Sequence, residues 1–489
     1  MRMTMGRINV RRTSLVLAVV LAALPAGARA HAADPSKEFR AGAATSNISP
    51  WIGLSMNGGM TDNPVKYVHD ELHARALVLD DGTTKLAFIV CDSCMVVREV
   101  VTDAKNRIRE RTGIAPDHVL ISATHAHSCP TSGGVFQSGP DPNYRRFLAL
   151  KIADAVSGAV TNLAVARVGW GAGRNAEQVF NRRWYMKNGV TNPDPFGRTT
   201  DKVRMNPVPG GAELVKPAGP IDPDVFVVSV QTPSGKPVAL LANYSLHYVG
   251  GVGGNHASAD YYGAFADRVQ QLLGADRQDP PFVGIMSNGT SGDINNINFR
   301  TPRAALPPYG QIRKVADDLA QEAARVAKSI EYHGRATLDA RASELMLAVR
   351  KPDRDDLIRA ESIIARAQGA ALKSLDEVYA RETLLLPKYP DAIPVTIQAL
   401  RIGGLAVVAI PCEVFVEIGL KIKAKSPIKP VFTISLANGY NGYLPTKAQH
   451  ALGGYETWRA RSSYLEVDAA DKIADKALDL LGELNKAAR

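Results

Sequence analysis

The sequence contains few cysteines and, beyond its first thirty residues, no long apolar segment. Four cysteines in 489 residues are too few for the disulfide framework of a small secreted domain. After residue 30 no stretch offers about eighteen uninterrupted apolar residues, so no transmembrane anchor is predicted. Dense runs of lysine or arginine are also lacking, which argues against nucleic-acid binding.

The first thirty residues have the pattern of a secretory signal peptide. Arginines at positions 2, 7, 11 and 12 precede the apolar run SLVLAVVLAALPAG, and the small-residue motif ARA ends at Ala30. This pattern predicts a secreted or periplasmic protein that is cleaved near Ala30. Sec and twin-arginine export both stay open, because Arg11 and Arg12 only weakly resemble a twin-arginine signal. Residues 1–30 hold five arginines and no acid, so they carry half of the formal net charge of +10.

The bonding state of the cysteines is left open by the sequence. Their positions are Cys91, Cys94, Cys129 and Cys412. An oxidising compartment would permit one or two disulfides, and buried free thiols are the alternative. The pair CDSC at 91–94 resembles a redox motif or half of a zinc site, but no second CxxC motif accompanies it.

Alternating strand and helix patterns predict an α/β fold with a mixed β-sheet core flanked by helices. The segments ARALVLDDGTTKLAFIVCD and VFVVSVQTPSGKPVALLANYSLH read as hairpins, and helical patterns follow each of them. Hairpins combined with crossovers require both antiparallel and parallel pairing. We predict a single catalytic domain over residues 31–489.

Two segments interrupt this alternation. Residues 186–223 are rich in proline and glycine and show no periodicity, so they are predicted to be a long loop. This loop is either a lid or rim over a site or an insertion without function. Residues 353–380 are predicted to be a helical insertion.

Polar residues capable of metal or proton chemistry recur just after predicted strands. They are Asp92, His125, His127, His247, Asp293, Glu413, Tyr440 and Tyr443. Strand ends are where α/β proteins bind ligands, because loops converge there while the sheet holds them rigid. We therefore predict one site at these strand ends.

The segment HVLISATHAHSCP places two histidines, His125 and His127, at the end of a strand. Both histidines could serve one centre only if the chain bends, or if one binds the metal and the other stands behind it. We expect one metal ligand and one partner that is either catalytic or supports the ligand. Established motifs such as HExxH, GxSxG, GxGxxG and the Walker loop are missing. The chemistry must rest on dispersed residues.

Several segments occur in an order that resembles the neutral, non-lysosomal ceramidase family. They include ISATHAHSCP, FNRRWY, SNGTSGDINN, AIPCEVFVEIG and NGYNGYLPTKAQHALGGYE. The resemblance extends from about residue 39 to the final helix. It implies an exported hydrolase that holds one zinc ion per chain and cleaves the N-acyl amide bond of ceramide-like lipids by zinc-activated water, yielding a fatty acid and a sphingoid base.

The resemblance also implies roles for individual residues. His125, His247, Glu413 and Tyr443 match the zinc ligands. The residues that match positions around the scissile amide are His127, Arg182 and Tyr455. Two imidazoles, a carboxylate and a phenolate are acceptable donors to zinc.

The chain departs from the family at a few places. Cys129 and Cys412 stand where ceramidases usually have glycine, and the chain ends without a counterpart of their C-terminal immunoglobulin-like domain. Two alternatives therefore stay open. The same zinc site could act on another ester, lactone or N-acyl amide, or the protein could be an exported binding protein on a decayed enzyme fold. The sequence does not define an oligomeric state.

Overall fold

Three larger β-sheets, each with parallel and antiparallel strands, form the framework of the part of the chain that the computed structural model describes. The described residues are 38–487 without 303, 305 and 370, and they belong to one compact unit, Ser36–Arg489. The predicted signal peptide, residues 1–30, lies outside the described residues and stays a prediction.

The strands of each large sheet follow the same spatial plan. The first sheet has the order Val119–Ala123, Lys85–Cys91, His73–Asp80, Arg40–Asn47 and Ala164–Val165. The second has the order Val283–Asn288, Pro237–Tyr244, Asp224–Gln231 and Arg167–Arg174. The third has the order Val431–Ser435, Leu405–Ile410, Ala392–Ile402 and Leu338–Ala348. In each sheet the first two strands named are parallel and the next pairs are antiparallel.

Each sheet is thus built from one repeated unit: an antiparallel hairpin, a helix, and a strand that runs parallel to the second strand of the hairpin. The connecting helices of the three units are Arg98–Thr112, Asp260–Leu272 and Val416–Lys425. The sequence shows no repeat that would indicate this plan, since buried apolar strands are interchangeable in sequence.

The three sheets share one apolar core. Leu77 of the first sheet, Leu241 of the second and Leu400 of the third are buried in the same cluster. Helices cover the outer faces, and besides the connecting helices these are Pro142–Thr161 on the first sheet, Gly310–Ser329 on the second and Ala469–Ala487 on the third. The predicted mixed α/β fold with flanking helices is confirmed.

Local sequence explains the covering helices. In Gly310–Ser329 the buried residues Ile312, Val315 and Leu319 recur every three or four positions, which gives an apolar stripe along one face. The helix Pro142–Thr161 begins at Asp141, whose side chain accepts hydrogen bonds from the backbone N–H groups of Asn143 and Tyr144.

The proline-rich segment 186–223 is not a structureless loop. Its strands Val203–Met205 and Leu214–Pro217 pair on either side of Arg183–Met186 and form a small antiparallel sheet. These strands are three and four residues long, and such short strands leave no alternation that a sequence pattern could reveal.

The helical region predicted at 353–380 is a pair of helices, Arg354–Arg366 and Leu375–Leu385. Asp353 and a capping box at Ser374 begin these two helices. The pair is inserted between the strands Leu338–Ala348 and Ala392–Ile402, which are hydrogen-bonded to each other.

The remaining elements are short. Within residues 38–487 the other described α-helix is Lys447–His450, and the described 3₁₀ turns are Pro116–His118, Leu386–Lys388 and Tyr455–Thr457. Two-stranded pairs join Ser55–Met56 to Asn63–Pro64, Tyr67–Val68 to His256–Ala257, Phe180–Asn181 to Ile294–Asn295, and Glu413–Val414 to Tyr443–Leu444. Among the helices within 38–487, none has the length and apolar composition that crossing a bilayer requires.

Candidate metal centre

The loop that carries His125 and His127 bends sharply. The preceding strand ends at Ala123, and His125 adopts a left-handed backbone with φ of 73°. The argument from a continuing strand therefore does not apply, because the chain leaves the extended conformation before the second histidine. The Nε2 atoms of His125 and His127 lie 3.2 Å apart.

Three side chains, each of which follows a strand of a different large sheet, converge here. Nε2 of His247 lies 3.0 Å from Nε2 of His125, and Oε2 of Glu413 lies 3.2 Å from Nε2 of His125 and 3.9 Å from Nε2 of His247. Ligand atoms around a tetrahedral zinc ion are about 3.4 to 3.8 Å apart, given zinc–ligand bonds of about 2.0 to 2.3 Å. The three atoms are spaced closely enough to share one ion.

Hydrogen bonds on the far side of each ring fix which nitrogen faces the centre. Nδ1 of His125 donates to the carbonyl oxygen of Cys94 at 2.8 Å, and Nδ1 of His247 donates to that of Ser291 at 3.0 Å. Because a carbonyl only accepts, both Nδ1 atoms carry the proton and both Nε2 atoms of the neutral rings present lone pairs.

Glu413 adds a third electron-pair donor. Its Oε2 atom is buried and has no hydrogen-bond partner among the described residues. An unpartnered carboxylate oxygen that faces two imidazole lone pairs is unfavourable unless a cation lies between them. The donor set of two imidazoles and a carboxylate fits a zinc ion.

The pKa values of the two histidines reflect the charges next to them, which are Glu413 and Arg182. Burial lowers the pKa of His247 well below its ordinary value, and the charge of Arg182 lowers it further, so this ring is neutral and able to bind a metal. Burial also acts to lower the pKa of His125, but the Glu413 carboxylate outweighs burial and the pKa is raised well above its ordinary value. Without a cation this ring therefore takes up a proton, which a bound metal ion would replace.

Tyr443 lies next to Glu413. The short parallel pair Glu413–Val414 and Tyr443–Leu444 puts these two residues in register. The hydroxyl of Tyr443 accepts a hydrogen bond from Nη2 of Arg182 at 3.1 Å. Its position beside the carboxylate is compatible with a fourth ligand, and that role stays a prediction.

Arg182 is held by a buried ion-pair network. Its Nε donates to Oε1 of Glu456 at 2.9 Å, and its Nη2 also donates to the carbonyl oxygen of Gly292 at 2.8 Å. The neighbouring Arg183 donates through Nη1 to Oε2 of Glu456 at 2.6 Å. Glu456 is fully buried between the two guanidinium groups. It therefore fixes the direction of Arg182 and, through the chain, of the adjacent Tyr455.

His127 and Tyr455 are only partly buried, unlike the proposed ligands. The ring of His127 stacks on Tyr248 with centroids 3.7 Å apart, and Gly58 lies so close that a side chain there would meet the ring. Tyr455 packs against Tyr443 with centroids 5.7 Å apart. Both partly buried residues are thus next to the convergent donors and can be reached from outside.

Two strand-end acids that were candidates lie outside the donor cluster. Asp92 forms an ion pair with Arg75 and accepts from the backbone N–H of His73. Asp293 accepts from the backbone N–H of Val416 and from the amide of Asn181. Both carboxylates stabilise loops around the centre.

Several residues at the site were missed by sequence reasoning. They are Tyr248, Glu456 and, as part of the centre, Cys94. Glu456 directly follows Tyr455, and Tyr248 directly follows His247, so adjacency to a proposed functional residue is the signal that was available. The ion pairs of Glu456 with Arg182 and Arg183 join residues more than 270 positions apart, which no local pattern reveals.

Tyr440 holds the other oxygen of Glu413. Its hydroxyl donates to Oε1 at 2.9 Å, which leaves Oε2 to face the histidines. Outer residues that orient a ligand typically contribute about 10- to 100-fold to metal affinity. We expect Tyr440→Phe to weaken zinc binding by about that factor. Competition for zinc with a chelator of known affinity measures the change.

A matched control for this substitution is Tyr464→Phe. Tyr464 is buried and its hydroxyl donates to the side chain of Asn441 at 3.0 Å. The substitution therefore removes a similar hydrogen bond that does not involve Glu413. Zinc affinity in the control should stay within about threefold of the unaltered protein, since the hydrogen bonds to the ligand are intact. Equal affinity in both variants would contradict a positioning role for Tyr440.

Two cavities lie one residue beyond the centre, and none of the proposed ligands lines either of them. One, of about 410 Å³, has Met95 and Tyr440 in its wall. The other, of about 470 Å³, is lined by Trp458, which contacts Tyr455, and by Tyr379 of the helical pair. Residues 194–201 of the proline-rich segment contribute to the second cavity. Both interrupting segments of the sequence therefore border space next to the site.

Comparison with known proteins gives the fold. No protein-family model matches the chain. Among solved structures, a ceramidase complexed with C2 has a TM-score of 0.68 and 17% sequence identity, covering 92% of this chain and 76% of that one. The neutral ceramidase from Pseudomonas aeruginosa has a TM-score of 0.67 and 17% identity, covering 92% of this chain and 75% of that one. The described chain has the fold of neutral ceramidase.

Proposed function

We propose that this protein is an exported zinc-dependent hydrolase that cleaves the N-acyl amide bond of ceramide-like lipids. The observation that carries the proposal is the convergence of Glu413 Oε2, which has no hydrogen-bond partner among the described residues, with the Nε2 atoms of His125 and His247. The fold of neutral ceramidase supports the reaction class. Export rests on the predicted signal peptide, residues 1–30.

The proposed ligands are His125, His247, Glu413 and Tyr443, with one zinc ion per chain. When bound, zinc supplies a Lewis acid for the carbonyl group and makes water a nucleophile near neutral pH. Cys94 and Ser291 hold the two rings through their carbonyl oxygens, and Tyr440 holds the carboxylate. These contacts preorganise the donors before substrate arrives.

Arg182 and Tyr455 are the proposed donors to the oxyanion that develops on the substrate. Nη1 of Arg182 takes part in none of the hydrogen bonds found within 38–487, whereas Nε and Nη2 are engaged. A well-placed donor of this kind contributes about 3 to 4 kcal/mol to the transition state. Burial acts to lower the pKa of Arg182, but Tyr443 and Glu456 outweigh it and raise the pKa, so the guanidinium stays charged.

His127 is the proposed group that transfers a proton to the leaving amine. Burial lowers its pKa well below the ordinary value, and His125 and Arg182 lower it further, so the ring is neutral and can first accept a proton. Its partial exposure and its stacking on Tyr248 place it at the open side of the centre. General acid–base groups typically contribute about 10²- to 10⁴-fold to the rate.

An apolar wall next to the centre supports a lipid substrate. Met95, Phe136 and Tyr379 form a buried cluster against which Tyr440 and Tyr455 pack. Burying each methylene of an acyl chain contributes about 0.8 kcal/mol. The adjacent cavity of about 410 Å³, which Met95 and Tyr440 line, gives an acyl chain access to the edge of this cluster, and this supports a fatty acyl substrate.

The charged lining of the larger adjacent cavity favours a second candidate. Arg350, Arg459, Asp201 and Asp356 all border it. Such a lining suits a polar substrate, so the alternative is the same zinc site acting on a different ester, lactone or N-acyl amide.

One experiment separates these candidates. The purified full-length protein is analysed for zinc and assayed against a long-chain ceramide, a short N-acyl amide, an ester and a lactone. We expect about one zinc per chain, as the four-ligand set requires, and fastest turnover of the ceramide. Zinc binding with turnover only of the other substrates would support the second candidate. Zinc-free protein without any turnover would instead indicate a binding protein on a decayed enzyme fold.

A further inference from the structure

A second group of possible metal donors shares His125 with the proposed zinc centre. Cys94, His125 and His127 each offer a donor atom, and these atoms lie within 4.8 Å of one another. Sγ of Cys94 is 3.7 Å from Nδ1 of His125. The thiol is buried and free. No role in the proposed hydrolysis uses it.

Comparison of the repeated unit in the three sheets shows that Cys94 lies at the position equivalent to His247 and Glu413. In each unit the second hairpin strand ends three residues before a residue of the centre. His247 follows Tyr244 by three positions, and Glu413 follows Ile410 by three. In the first sheet the corresponding strand ends at Cys91, and the residue three positions later is Cys94. Cys94 thus occupies the position that the other two sheets fill with proposed ligands.

The donors on the two sides of His125 differ in chemical character. Glu413 and Tyr443 supply oxygen, and Cys94 supplies sulfur. Thiolates prefer soft cations, whereas oxygen donors prefer harder ones. The centre is therefore asymmetric in its preference for metals.

His125 cannot serve both groups at once. Cys94 Sγ faces Nδ1 of the ring, whereas His247 and Glu413 face Nε2. A neutral imidazole has one lone pair, so it binds one ion at a time. Binding through Nδ1 would break the hydrogen bond to the carbonyl oxygen of Cys94 and move the ring proton to Nε2. An ion held by Cys94 would take His125 away from the site shared with His247 and Glu413. Occupation of the two positions is then mutually exclusive.

We propose that Cys94, His125 and His127 form a site for a thiophilic cation such as cadmium, which competes with zinc for the centre. Binding converts the Cys94 thiol to a thiolate, and its proton passes to solvent. The competition rests on the proposed zinc function, whereas thiolate coordination does not.

The test titrates the full-length protein with cadmium and records the ultraviolet absorption of cadmium–thiolate bonds, together with released zinc. We expect this absorption to appear as about one zinc is released per cadmium bound, because the ions share His125. In Cys94→Ala the absorption should vanish and cadmium affinity should fall by about tenfold or more.

Cys412→Ala is the matched control, because Cys412 is also buried and adjoins Glu413 but lies outside the donor group. Its cadmium–thiolate absorption should equal that of the unaltered protein. Absorption that is missing, or that persists in Cys94→Ala, would overturn the inference even if zinc binds as proposed. Absorption that depends on Cys94 without any zinc binding would overturn the zinc function and leave the thiolate site standing.

Discussion

Replacing His125 by alanine should remove the metal and the hydrolytic activity together, whereas replacing His127 by alanine should remove activity and leave the metal. His125 contributes the nitrogen that lies nearest both to His247 and to Glu413. Losing a ligand must weaken binding by more than the roughly 10- to 100-fold typical of residues that only orient ligands. Without metal, turnover should fall below detection.

The His127→Ala variant should keep about one zinc per chain, since all four proposed ligands are untouched. Its kcat should fall by about 10²-fold or more, which is the lower end of the contribution of a general acid or base. Zinc analysis of both purified variants, with turnover of the best substrate, measures these effects.

His118→Ala is the control for both variants. His118 lies at the opposite end of the strand Val119–Ala123, away from the centre. Zinc content and kcat in this control should match those of the unaltered protein. Equal loss of metal from the His125 and His127 variants would show that His127 is also a ligand, which its 3.2 Å distance from His125 would permit. Tyr455 would then be the next candidate for the proton donor.

The place where the candidate donors converge could be predicted, because each of them follows a strand that is recognisable in the sequence. His125 follows the parallel strand of the first sheet, and His247 and Glu413 follow hairpin strands of the second and third. All three sheets surround one core, so their strand ends meet at the same place. The buried strands themselves were readable as apolar runs between turns.

The geometry within the centre could not be predicted. The left-handed backbone of His125 occurs in a residue that is not glycine, and no local pattern marks it. The pairing of Glu413 with Tyr443 involves two-residue strands, which are too short to show alternation. The 3.2 Å separation of the Nε2 atoms of His125 and His127 depends on the first of these features, so the residue pattern alone could not give it.

The buried Glu456 network should be the largest contributor to stability near the site. Glu456 is fully buried and binds both Arg182 and Arg183. Its pKa is held below the ordinary value because the two guanidinium charges outweigh burial, which acts to raise it. The carboxylate is therefore ionised at neutral pH, and two buried cations depend on it.

Glu456→Ala should lower the free energy of unfolding by about 3 to 5 kcal/mol, because removing one partner leaves buried charge uncompensated. Glu456→Gln keeps the shape and one acceptor oxygen, so it should destabilise less while losing one of the two hydrogen bonds that orient Arg182 and Arg183. Urea unfolding of both variants, beside the exposed control Glu483→Ala, measures the stability. The control should change the free energy of unfolding by less than about 0.5 kcal/mol, as is usual at the surface.

Two outcomes decide the role of Glu456. If Glu456→Gln unfolds like the unaltered protein yet loses kcat, the carboxylate acts by orienting Arg182. If Glu456→Ala is as stable as the control, the network does not stabilise the fold.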